Sequence, residues 1–229
     1  MQELMDTVFG KKGLMYRLVV FDLDGTLLDT LADLAFSTNE ALEAHGLPGR
    51  TIDEVRRFVG NGIRKLIERA VPAGTGIETV DAVFEDFKRS YAIHAADTTR
   101  PYPGVPALLR GLRDAGVHCA LVSNKADFAV QELVERYFPG QLDIAVGERE
   151  GIAKKPAPDM LEHVLAELGV PKEDTVYVGD SEVDFATAAN TGCDLVLCSW
   201  GFRSVEELRA LGPARIVGTP EELLATLLG

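Results

Sequence analysis

The sequence predicts an α/β fold: a parallel sheet flanked by helices, with an all-helical insertion. Three observations predict it. Short, bounded runs of β-formers recur at residues 16–21, 117–122, 142–146, 175–178 and 194–198, as strands buried on both faces require. Helical periods separate the later runs, over 105–115, 126–137, 160–168 and 183–191. Strand alternating with helix implies right-handed crossovers and a parallel sheet. Residues 30–100 break the rhythm, with helical patterns and no convincing strand among them.

Taken in order, residues 1–14 show no useful periodicity and read as an extension, or as an early start ahead of Met15. The first run ends at Asp22-Leu23-Asp24-Gly25-Thr26. Asp-Gly between apolar residues is also a hairpin-turn signal, but Leu27, Leu28, Leu31 and Leu34 continue with helical spacing. Within the insertion, Leu31, Leu34, Ala35, Ala41 and Leu42 form one apolar stripe, and Val80, Val83, Phe84, Phe87 and Tyr91 a longer one. Thr51 with Glu54 is a capping box that opens another helix. The chain returns to the sheet at Arg100-Pro101-Tyr102-Pro103-Gly104, where the prolines mark a hinge. The expected division is a core of 15–29 and 101–229 with a helical domain of 30–100. Ser204 with Glu207, and Thr219-Pro220-Glu221-Glu222, signal two closing helices.

Composition excludes several functions. The net charge is −13, with 36 acidic against 23 basic residues and no long basic run, which argues against nucleic acid as a partner. No apolar stretch approaches a bilayer span, and the N-terminus lacks the order of a secretory signal. A cytoplasmic protein is expected, a monomer or homodimer with no membrane partner. Cys119, Cys193 and Cys198 form no CxxC pair, so buried free thiols are expected. His45, His94, His118 and His163 show no metal-ligand spacing and read as surface or helix-end residues. Trp200 follows the fifth run and reads as packing.

Ligands of parallel sheets bind beyond the carboxyl ends of the strands, and the polar segments of this chain all fall there. Asp22 and Asp24, two apart, share one face of an extended chain and can converge on a cation such as Mg²⁺, which wants hard oxygen ligands. Ser123-Asn124 offers a hydroxyl and helix-start amides for a phosphoryl oxygen, or a plain helix cap. Lys154-Lys155-Pro156 supplies a cation. Ser181 and Asp184 in Gly179-Asp180-Ser181-Glu182-Val183-Asp184 make an ordinary helix start. Yet so many acids at one sheet edge would repel one another without a bound cation.

Asp22-Leu23-Asp24-Gly25-Thr26-Leu27, with Asp29 after it, resembles the first motif of the haloacid dehalogenase superfamily. Ser123, Lys155 before Pro156, and Gly179-Asp180-Ser181 with Asp184 match its later motifs in order. The resemblance implies a Rossmann-like core with an inserted helical cap, and a Mg²⁺-dependent phosphatase acting on a small phosphorylated metabolite. It implies Asp22 as nucleophile, forming an aspartyl-phosphate, and Asp24 as acid and base that also ligates the metal. Asp180 would ligate Mg²⁺ with Asp22, and Asp184 would stand behind or bridge through water. Thr26, Ser123, Asn124 and Lys155 would hold the phosphoryl group.

Phe58-Val59-Gly60-Asn61-Gly62, Tyr102-Pro103-Gly104-Val105 and Ser123-Asn124-Lys125 are similar to bacterial phosphoglycolate phosphatases, which implies 2-phosphoglycolate as substrate. Gly60, Asn61 and Gly62, with Arg64 in the following helix turn, read either as a simple interhelical turn or as a receptor for the substrate carboxylate. Other activities fit the same motifs: a β-phosphoglucomutase-like mutase, a pyrophosphatase, or a sugar or nucleotide phosphatase. A ligand-binding regulatory module on the same fold is the alternative outside enzymes.

Overall fold

The computed structural model describes residues 16–229, so the reading of residues 1–14 falls outside the described residues. Strand β1 (Leu18–Phe21) is apolar and wholly buried. Leu18 and Val20 enter one layer of the core, Val19 and Phe21 the other, as the two-residue period of a strand dictates. The chain then forms a two-residue strand β2 (Leu28–Asp29), which pairs antiparallel with β3 (Arg100–Pro101). This small ribbon was not anticipated, because two-residue strands leave no periodicity to read. It joins the two crossing points where the chain leaves the sheet and returns.

Between β2 and β3 lie four helices: α1 (Leu31–Ala44), α2 (Ile52–Phe58), α3 (Ile63–Ala70) and α4 (Ile77–His94). The expected stripes bury Leu31, Leu34, Leu42, Val83 and Phe87 in an apolar cluster of their own, which also takes in Phe202 from beyond the fifth strand of the sheet. The capping box at Thr51 is formed. Asp33 in the first turn of α1 accepts the backbone N–H groups of Thr98 (3.0 Å) and Thr99 (2.8 Å), which ties the helices to the chain entering β3.

The sheet is completed by β4 (His118–Ala126), β5 (Ile144–Glu148), β6 (Thr175–Gly179), β7 (Asp194–Cys198) and β8 (Ile216–Val217). All six strands run parallel in the order β5-β4-β1-β6-β7-β8, the α/β architecture that the strand–helix alternation predicts. β1 therefore has β4 on one side and β6 on the other, and the order of strands in sequence reverses around it. A crevice opens at its carboxyl end. Helices α5 (Val105–Asp114), α6 (Asp127–Tyr137) and α10 (Pro220–Leu228) cover one face of the sheet through Leu109, Val130 and Leu223. Helices α7 (Asp159–Leu168) and α8 (Glu182–Thr191) cover the other through Leu161, Val164 and Ala188. The short α9 (Val205–Ala210) starts at the expected Ser204–Glu207 capping box. Among the described residues, no helix is long and apolar enough to cross a membrane.

Candidate active site

Asp22, immediately after β1, accepts hydrogen bonds on Oδ1 from its neighbour's N–H (Leu23, 2.7 Å) and from Lys155 Nζ at 2.9 Å. Burial pushes its pKa up to about 7, against the pull of the Lys155 ammonium and with the repulsion of Asp184 and Asp24 added. Asp180, immediately after β6, accepts the N–H of Phe202 at 2.6 Å. Burial, then Asp184 and Asp22, hold its carboxyl well above the usual carboxylate range.

Gly25 sits between these two strand ends with φ +89°, and a β-carbon there would collide with the Asp180 carboxylate. The glycine of the first motif is thus required twice, by its backbone conformation and by the packing of Asp180.

Oxygen atoms of Asp22, Asp180 and Asp184 lie within 4.8 Å of one another. They are not equivalent. Asp184, wholly buried, accepts the N–H groups of Asp180 (3.2 Å) and Ser181 (3.1 Å) and the Ser181 hydroxyl (2.6 Å) on Oδ2. Its Oδ1 accepts Lys155 Nζ (2.8 Å) and the Tyr177 hydroxyl (3.2 Å). Five donors leave it no capacity for an ion, so it orients Lys155 and the turn after β6. Asp22 and Asp180 remain, two carboxylates that burial and the charge of Asp184 both raise, and they fit a hard divalent cation. Lys155 is itself saturated by Asp22, Asp184 and Tyr177 (2.9 Å). Burial opposes its charge, but Asp184 and Asp22 outweigh it and hold the ammonium protonated.

Asp24 faces a second lysine. Its Oδ1 accepts the Thr30 hydroxyl at 2.7 Å, and Lys125 Nζ lies 3.1 and 3.2 Å from its two oxygens. Lys125 also donates to the Tyr91 hydroxyl of α4 at 2.7 Å. Burial works against the Lys125 charge, yet Asp24 holds its pKa above the ordinary value. Nothing in the segment Ser123-Asn124-Lys125 marks Lys125 as part of the site. The register of β4 against β5 shifts between Val122 and Ala126, and Ser123, Asn124 and Lys125, which fall in that stretch, are all buried and all line the cleft.

Four predicted contacts differ in the structure. The Thr26 hydroxyl points behind the site toward Asp180 Oδ1 (3.5 Å) and Cys198 Sγ (3.9 Å), not into the cleft. Asn124 lines the cleft, but its amide nitrogen donates to the carbonyls of Gly60 and Lys155, each at 3.0 Å, so those N–H groups hold two loops together rather than a phosphoryl oxygen. Asn61 accepts from Arg69 at 2.8 Å. Arg64 lies outside the cleft, bonded to Glu68 (3.2 Å) and Asp81 (2.6 Å) over the ring of Phe84. Two acids within reach on its own and the neighbouring helix draw it away from a substrate.

Ser123 and Lys155 do line the cleft with Asp22, Asp24 and Asp180, while Gly60 and Gly62 form part of its roof beside Val59, Ile63 and Leu66. Arg203, which the sequence reading missed, lines it too. It bridges Glu182 (2.8 Å) in α8 and the carbonyls of Arg56 (3.0 Å) and Val59 (2.9 Å) in the roof. No motif marked it, since its partners are mostly carbonyls. Trp200 donates to the Thr26 carbonyl at 3.0 Å and packs on the core. Of the cysteines, Cys119 and Cys198 are buried free thiols and Cys193 is half-buried.

A parallel α/β sheet with carboxylates, a hydroxyl and a lysine at successive strand ends suits phosphoryl transfer, and its relatives make the chain a phosphatase, a phosphoric monoester hydrolase. The chain belongs to the haloacid dehalogenase-like hydrolase family, whose model matches residues 19–198. It is 33% identical over 218 residues to phosphoglycolate phosphatase 1 of Pseudomonas aeruginosa, covering 91% of this chain and 78% of that protein. It is 34% identical to a phosphoglycolate phosphatase of Vibrio parahaemolyticus, covering 91% and 94%. A crystal structure from Lactobacillus delbrueckii subsp. bulgaricus, assigned provisionally as a phosphoglycolate phosphatase, superposes with a TM-score of 0.90 at 39% identity, covering 94% of this chain and 100% of that one. CbbY from Rhodobacter sphaeroides, in complex with phosphate, superposes with a TM-score of 0.73 at 25% identity, covering 93% and 99%.

Proposed function

We propose that this phosphatase is Mg²⁺-dependent, works in the cytoplasm, hydrolyses 2-phosphoglycolate, and does so through an aspartyl-phosphate on Asp22. The observation that carries the reading is the division of labour between two carboxylates of one motif: Asp22 is held by Lys155 at the floor, and Asp24 by Lys125 and Thr30 at the edge. The names of the relatives at 33–34% identity support the substrate. Residues 15–29 and 101–229 act as the core domain and 30–100 as the cap that closes over the substrate.

A carboxylate oxygen of Asp22 attacks phosphorus while the ester P–O bond breaks, and Asp24 gives its proton to the departing alkoxide oxygen. A water then attacks the phosphorus of the aspartyl-phosphate, Asp24 takes the water's proton, and the bond to Asp22 breaks to release phosphate. Lys155 holds Asp22 in line and sets its positive charge against the phosphoryl oxygens from behind Asp22, and the Ser123 hydroxyl offers them a donor. Mg²⁺, held by Asp22, Asp180 and the Asp24 carbonyl, would offset the charge of the phosphoryl group.

The test is turnover of an aryl phosphate and of 2-phosphoglycolate with Mg²⁺ and with chelator. Activity that survives removal of the metal would sink the metal assignment. Asp22→Asn is expected to lower kcat by about 10⁴-fold or more, and an Asp22→Asn enzyme near wild-type activity would rule out the covalent route.

A further inference from the structure

We propose that Lys125 is the residue that selects the substrate, by binding a carboxylate carried on the carbon next to the ester oxygen. This rests on the reading of the site as a phosphatase. The cations around the cleft differ in what they face, not in whether they are paired. Lys155 is held by Asp22, Asp184 and Tyr177, Arg203 by Glu182 and two roof carbonyls, and Lys154 by Glu148 at 3.0 Å, whereas Lys125 is held by Asp24 and Tyr91. Arg64 lies outside. Lys125 is the cation placed beside the group that meets the leaving oxygen.

Distances carry the argument further. For Asp24 to protonate the ester oxygen, that oxygen must lie within hydrogen-bond reach of its carboxylate. Lys125 Nζ is 3.1 Å from the same carboxylate, so an anionic group two bonds from the ester oxygen falls within reach of the ammonium. A neutral leaving group leaves Lys125 paired with Asp24. A carboxylate offers it a second anion beside Asp24, so that the ammonium lies between the substrate's charge and the acid. The Tyr91 hydroxyl, reaching down from α4, fixes the ammonium at 2.7 Å with the ring face 4.6 Å away, so the cation is aimed before substrate arrives. The substrate class is a short phosphomonoester with a carboxylate on the α-carbon. Sugar phosphates without an anion there are disfavoured.

The experiment compares 2-phosphoglycolate with its neutral amide, 2-phosphoglycolamide, in the Mg²⁺-supplied enzyme, with p-nitrophenyl phosphate alongside. In the wild type, kcat/KM should favour the acid over the amide by about 100-fold, the scale of a hydrogen-bonded charge pair. In Lys125→Met that preference should fall to within about threefold, chiefly through KM for the acid, and Lys125→Arg should restore part of it. An unchanged preference in Lys125→Met overturns the proposal. Should Lys125→Met fail to fold, the wild type decides: equal turnover of acid and amide overturns it as well. Hydrolysis of p-nitrophenyl phosphate with no preference for the acid removes this inference alone. Hydrolysis of none of the three removes the phosphatase reading with it.

Discussion

Asp184 in α8 and Arg64 in α3 each occupy the first turn of a helix at the cleft, one in the floor and one in the roof, and they are held in different ways. Asp184 has no exposed surface and accepts five hydrogen bonds, all from the floor itself. Arg64 has a third of its side chain exposed and two acid partners, both within the roof. Neither touches the other region. Where floor and roof do meet, the floor's side chains reach up to the roof's backbone: Asn124 to the Gly60 carbonyl, and Arg203 to those of Arg56 and Val59. The Lys125–Tyr91 bond, the Thr30–Asp24 bond and the Phe202 side chain in the roof's apolar cluster are the exceptions.

A desolvated network with every member satisfied holds its geometry without substrate and suits a reaction whose charge must be met by fixed dipoles. Contacts to carbonyls place little demand on roof side chains, because every residue has a carbonyl. The roof can therefore vary its lining while remaining docked.

Four changes would break or sharpen this contrast. Asp184→Asn should do the most damage, since it leaves the Lys155 ammonium buried with one carboxylate fewer. We expect about 3 kcal/mol lost in chemical denaturation and kcat lowered by about 100-fold. A variant with unaltered stability would mean the floor is not a single network. Arg203→Ala should release the roof while sparing the floor: KM for 2-phosphoglycolate rises about tenfold, the loss of charged hydrogen bonds, and kcat moves less. A fall confined to kcat would contradict the separation.

Asp33→Asn tests the neck between the regions. Burial opposes ionisation of Asp33, but hydrogen bonds from Thr98 and Thr99 outweigh it and hold the carboxyl below the usual range. A depressed pKa contributes stability that is present above the unfolded-state value and lost as pH falls through the folded one. The variant should therefore be less stable by about 1.5 kcal/mol near neutral pH, with the gap closing in acid. A gap that widens on acidification would reverse the sign. Arg64→Ala should do least: kinetics on aryl phosphate and on 2-phosphoglycolate should change by the same factor, within about twofold. A selective rise in KM for 2-phosphoglycolate would bring Arg64 back into the site.

The parts of the site that were legible in the sequence are those where a strand end and a motif coincide. Asp22, Asp180, Ser123 and Lys155 all reach one cleft, because each follows a strand or loop whose direction the apolar runs disclose. Thr26 sits in the same segment as Asp22 and points elsewhere, and Asn124 lines the cleft with its amide N–H groups turned to carbonyls. Segment position says which loop a residue occupies but not which way its side chain turns. Lys125 was hidden for the same reason, since nothing in the sequence shows that its side chain turns to Asp24. Arg203 was hidden because its carbonyl partners leave no pattern at its own position or at theirs. The β2–β3 ribbon and β8, at two residues each, are shorter than any period.

By itself, the order of residues determined the five longer strands of the sheet, its helices and the location of the chemistry. Burial of alternating apolar faces and the capping of helices are local requirements, written in spacing. Only the tertiary structure decided which lysine faces which aspartate, that Asp184 is filled by donors while Asp180 stays open to a cation, and that Arg64 turns away from the cleft. Those outcomes depend on competition among charges far apart in the chain and close in space, and in a desolvated site the nearest satisfied partner wins.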